Sequence, residues 1–137
     1  MSEASMNHGS DILALLGRAL LAAIFVYSGF GKITAFQDSV GYVAAAGLPM
    51  PQVMILLAIV VEFVGGLALL IGFRARWAAL AFVIFLIVIT PIFHNFWSAP
   101  SAEVMSQQGN FIKNIAIIGG MLMMMAFGPG RYSVDKD

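Results

Sequence analysis

A chain of 137 residues that is 61% hydrophobic and only 10% charged, with a mean hydropathy of +0.93, has too little polar surface to cover a soluble globule. Seven basic residues balance seven acidic ones, which leaves no electrostatic case for nucleic acid, and the absence of cysteine excludes disulfides, thiol redox chemistry and thiolate metal ligation. The expected environment is the lipid bilayer. The length suits one domain of four spans of about 20 residues each, an all-α integral membrane four-helix bundle.

Residues 1–11 carry Glu3 and Asp11 but no Lys or Arg, the wrong charge for the n-region of a signal peptide, and are expected to form a retained, disordered tail. The first span is predicted over 12–33, after the N-capping residues Ser10 and Asp11, with Arg18 inside it and Lys32 at its end. The next stretch is too polar and too broken to span. It is expected to hold a short interfacial helix over 40–46, and Pro49 and Pro51 set a new helix start near Gln52.

The second span, 53–73, has one charge, Glu62, near its middle. A central carboxylate costs about 2.5 to 3.5 kcal/mol on insertion scales. The fourteen Leu, Ile, Val and Phe residues of the span contribute about 4 to 8 kcal/mol, so it still inserts. A tight turn with Gly72, Arg74 and Arg76 leads to a third span, 77–97, which has tryptophan at both ends and Pro91 to kink it near its end. The fourth span is predicted over 111–127, with Lys113 and Asn114 at its start, followed by the helix-stopping Gly128 and Pro129.

The four-span domain is thus expected over 12–128, with 129–137 as a cytoplasmic tail. Four spans put both termini on one side, together with Arg74, Arg76, Arg131 and Lys136, so the positive-inside rule gives an N-in, C-in topology.

Counted at 1.5 Å per residue from the inner edges, Arg18 lies about 9 Å deep and Glu62 about 16 Å deep. The axial gap of about 7 Å makes Arg18 and Glu62 the first candidates for a buried ion pair. Lys113 enters from the outer edge at a depth of about 3 Å. Four helical stripes define an expected interior: Arg18, Ala22, Phe25, Gly29 and Lys32; Ala58, Glu62, Gly65, Leu69 and Gly72; Ile84, Ile87, Pro91 and His94; and Lys113, Ala116 and Gly120.

The outer half of the bundle would then gather Lys32, His94, Lys113 and Asn114 above Glu62, a mouth for an anionic or carbonyl-bearing ligand or a proton relay. Plainer readings stand beside it. Lys32 and Lys113 fit snorkelling lysines, His94 an interfacial aromatic, Arg18 with Glu62 a structural pair, and the methionines from Met121 to Met125 packing filler. A single histidine in the span argues against a bis-histidine haem, and no metal site is expected.

The order and spacing of GRALLAAIFVYSGFGKI at 17–33, YVAAAGLPMP at 42–51, EFVGGLALLIGFRAR at 62–76, FHNFW at 93–97, FIKNIAIIGGML at 111–122 and GPGRYSVD at 128–135 resemble the DoxX family of small bacterial four-helix membrane proteins. The resemblance covers nearly the whole chain and implies a multi-pass protein of the bacterial inner membrane. The family takes its name from a subunit of a thiosulfate:quinone oxidoreductase, and relatives occur in membrane-associated oxidoreductase complexes. The family-like polar positions are Arg18, Lys32, Glu62, His94, Lys113 and Asn114. The absence of cysteine speaks against sulfur chemistry.

Three functions follow as expectations. The first is a subunit, not catalytic alone, that binds a quinone or another small hydrophobic ligand. The second is a scaffolding subunit or homo-oligomer whose buried polar residues only specify packing. The third is a small permease for a hydrophobic metabolite, which four spans could form only as an oligomer.

Overall fold

The computed structural model describes residues 3–135, with side-chain surroundings from residue 8 onward. Helix α1 is Glu3–Thr34, α2 is Phe36–Ala45, α3 is Pro51–Ile59, α4 is Gly65–Ile71, α5 is Ala75–Phe93 and α6 is Val104–Phe127. A π-helical turn, Val60–Val64, joins α3 to α4, so these three pieces form one span. Four helical segments are long and apolar enough to cross a membrane, as expected, and all described regular structure is helical.

Three boundaries differ from expectation. The expected disordered tail is helical from Glu3; only Met1 and Ser2 of that stretch lie outside the described residues. Nothing in residues 3–11 breaks a helix as proline would, so the span extends outward as one continuous helix. The last helix starts at Val104, seven residues ahead of the first strongly apolar position. Pro100 holds the break, and the polar residues after it are compatible with a helix emerging from the bilayer. The expected interfacial helix exists but starts earlier, at Phe36.

The helices pack through small residues, because lipid is as apolar as the side chains and supplies no hydrophobic drive for association. A Cβ on Gly29 would fall 2.7 Å from the Phe63 backbone nitrogen, and one on Gly66 would fall 2.9 Å from Val26 Cγ2. These two contacts set the register between α1 and the second span.

The lower half of the bundle is solid. Ala22, Phe25, Leu69, Ala79, Phe82 and Met121 are buried together, and the rings of Phe25 and Phe82 are 4.1 Å apart. A second, smaller cluster pins α2 onto α3 through Val40, Val43 and Ile55, with Phe93 of α5 against it.

Outward-facing Leu20, Tyr27, Ile84, Ile87 and Met123 form the broad apolar surface expected of a lipid-facing wall. Trp77 and Trp97 are exposed near the two ends of the third span, the placement expected of interfacial anchors.

Two expected stripes are displaced. On α5 the interior face is Ala79, Phe82, Leu86 and Thr90, while Ile84 and Ile87 face lipid and Pro91 is exposed. On α6 it is Asn114, Ile117, Met121 and Met124, one position from the expected Lys113, Ala116 and Gly120. Both helices are apolar nearly all round, so periodicity alone carries little information about the buried face.

Candidate functional site

Glu62 occupies the middle of the π turn, where the wider helical ring interrupts the regular ladder and turns its side chain into the bundle. Its carboxylate Oε2 is 2.8 Å from Lys32 Nζ, and the Glu62 side chain is only 6% exposed. Lys32 Nζ also donates to Ser28 Oγ at 3.0 Å, one turn earlier on α1. Ser28 Oγ–H in turn faces both Glu62 oxygens at 3.4 Å. The three side chains form a closed triangle in which the buried charge is paired and hydrogen-bonded, the condition under which a carboxylate is tolerated in hydrocarbon.

The expected pair between Arg18 and Glu62 does not form. Gly29 lies against Phe63, so Glu62 stands level with Phe30, about 18 Å along α1 from Arg18 and beyond side-chain reach. Counting depth from the inner edge of each span misjudged the register by about two turns.

Arg18 instead closes the opposite end. Its guanidinium donates to the carbonyl oxygens of Leu70 at 3.2 Å, Tyr132 at 2.6 Å and Pro129. The segment after α6 folds back beneath the bundle: Val134 N–H donates to Ile71 O at 3.0 Å and Asp135 N–H to Gly72 O at 3.1 Å. Asp135 also caps the turn, accepting from Arg74 N–H at 2.9 Å. Gly72 has φ +75, and a Cβ there would run into Ser133, so only glycine suits both the turn and the packed tail.

Above the Glu62 triangle lies a cavity of about 680 Å³, within the size range of small-molecule sites and walled largely by apolar side chains. All five residues expected at the outer mouth, Glu62, Lys32, His94, Lys113 and Asn114, line it. His94 enters although the expected α5 stripe does not, because the helix ends at Phe93 and the backbone turns at His94. Its Nδ1–H donates to Gln107 Oε1 at 2.8 Å. Asn114 is buried and donates to Thr90 Oγ1 at 3.1 Å. Lys113 is exposed at the rim and, among the described residues, is in no ion pair.

Sequence reasoning missed Ser28, Thr90, Gln107 and the α2 side chains Asp38, Ser39 and Tyr42, which complete the polar shell. Ser28 carried a readable signal, one helical turn before Lys32; Gln107 did not, because its helix looked like a loop. Among the described residues no group of three His, Asp or Glu side chains is placed to hold a metal ion.

The profile of the DoxX family matches residues 13–95. Inner membrane protein YqjF of Escherichia coli is 36% identical over 131 residues, covering 96% of this chain and 95% of its own. Inner membrane protein YphA of the same organism is 32% identical over 125 residues, covering 91% and 89%. A Surfeit locus protein 4 homolog of Drosophila melanogaster is 28% identical over 136 residues, 95% of this chain but 42% of that longer protein. No solved structure matches the chain.

Proposed function

The chain belongs to the DoxX family and is a multi-pass protein of the inner membrane, and from that premise we propose that it binds a quinone or another small hydrophobic ligand as a non-catalytic member of a membrane-associated oxidoreductase system. One observation carries this reading: the only charge of the second span, Glu62, is paired with Lys32 at the floor of a large apolar cavity. Pure packing would fill that space, since unfilled volume beside a buried pair costs stability. Ligand carbonyls would accept from Lys32 or Lys113, and Glu62 and His94 supply groups able to take and return protons.

The same reading gives the topology. The end bearing Arg74, Arg76 and Arg131 faces the cytoplasm, and the cavity belongs to the outer half of the membrane. Because the chain has no cysteine, single cysteines at Ser101 and Arg131 allow clean labelling from either side; labelling of Arg131→Cys from outside would reverse the assignment.

Purified protein should carry extractable quinone or bind an added quinone saturably, and Glu62→Gln should weaken that binding by about tenfold. Absence of both extractable quinone and saturable binding would overturn the reading.

A second reading, a packing or scaffolding subunit, draws on Arg18, whose buried charge is spent entirely on backbone carbonyls. Under it, replacing Lys32 and Glu62 together by Met and Leu would leave cellular function intact.

A further inference from the structure

The cavity has a weak wall. The second span touches α5 through α4 and the π turn, but among the described residues the backbones of α3 and α5 do not come close, and Phe93 of α5 reaches the cluster that holds Ile55 of α3. Below, Gly65 lies against the Phe82 ring; above, Tyr42 of α2 stacks on Phe93 of α5, with ring centroids 5.3 Å apart. Between these two closures α5 runs from Phe82 to Phe93, about 16 Å of helix with no α3 backbone close across from it among the described residues. Leu57, Val88 and Ile92 border that interval. Each lines the cavity and each is also well exposed, 58%, 55% and 38% respectively. Side chains that line a cavity and are this exposed mark a place where its wall is not sealed by protein.

The depth agrees. Val88 and Ile92 lie about 16 Å and 22 Å along α5 from the interfacial Trp77, within a hydrocarbon thickness of about 30 Å, so the gap faces acyl chains. The polar side chains are elsewhere: Lys32 and Glu62 on the floor, Lys113 and Asp38 at the rim. An apolar slot at acyl depth beside a polar floor is the shape of a site for a molecule with a polar head and a hydrocarbon tail.

We propose that the ligand is such a tailed amphiphile and enters sideways from the bilayer between α3 and α5, its head at Lys32 and Glu62 and its tail lying in the slot bordered by Leu57, Val88 and Ile92. This deepens the ligand-binding reading and rests on it. The reasoning is geometric: a head reaching Glu62 through the slot draws its first tail carbons past Val88, and the rest of the tail stays among lipids, so no long chain need be accommodated inside 680 Å³.

The test uses the full chain in lipid nanodiscs and two probes with one head, a dimethoxy-methyl-benzoquinone without a tail and the same ring with a ten-carbon tail. Val88→Trp and, from the opposite wall, Leu57→Trp fill the slot from positions outside the polar floor. Each variant should weaken the tailed probe by about tenfold while the tail-free probe, which can enter past the rim, binds as to the unaltered protein. That retained binding also reports that the variants are folded. The lateral route is overturned if both probes bind both variants unchanged, or if both are lost in equal measure. If neither probe binds the unaltered protein, the ligand-binding reading itself falls, and the route with it.

Discussion

The two ends of the bundle handle a buried charge in opposite ways. At one end Arg18 is buried and its guanidinium is consumed by three backbone carbonyls, two of them from the segment after α6 that folds back to seal the helices. At the other, Glu62 meets Lys32 and Ser28 and the space above is left open. The first arrangement uses charge to close structure; the second holds a charge pair next to room for something else. Both charges lie on or against the same stripe of α1, so what separates them is the partner each finds at its own depth.

The largest break of this contrast is Arg18→Met. It strands three carbonyls, that of Pro129 fully buried, and frees the terminal segment, and should cost about 3 to 5 kcal/mol. Thermal unfolding in detergent measures the loss, and limited proteolysis should cut within 129–135 in the variant alone; an intact, equally stable variant would show that the segment holds without its clamp.

Next in size, Lys32→Met leaves the Glu62 carboxylate without its cation and should cost about 2 to 4 kcal/mol by the same measurement, while Lys32→Met with Glu62→Leu recovers most of it. A double variant as unstable as the single one would mean that the pair is not the unit that matters. The smallest effect belongs to Tyr42→Leu. It removes the ring stack joining α2 to α5 and should lower stability by only about 0.5 to 1.5 kcal/mol, with faster hydrogen exchange in α2 and none of that change at the Arg18 end.

Much of this was legible in the chain. Four spans follow from runs of apolar residues whose insertion energy outweighs a single carboxylate, and the structure brings Glu62, Lys32, His94, Lys113 and Asn114, polar residues within or at the ends of apolar spans, to one cavity. The faces of α5 and α6 were not legible. Ile84 and Ile87 look no different from Phe82 and Leu86 as hydrophobes, and in lipid a helix need not be amphipathic to pack. The α1 stripe from Arg18 to Lys32 was correct because two charges and a glycine mark it.

Composition and pattern therefore settle that this is a four-span membrane protein of the DoxX family with Glu62 as its costliest residue, because transfer into hydrocarbon is a sum over side chains and needs no knowledge of neighbours. Which cation Glu62 meets depends on helix register, and that is set by where Gly29 and Gly66 let two backbones approach. Contact of this kind is a property of pairs of surfaces, so only the folded bundle assigns Lys32 to Glu62, Arg18 to the terminal segment, and the open volume to the space above Glu62.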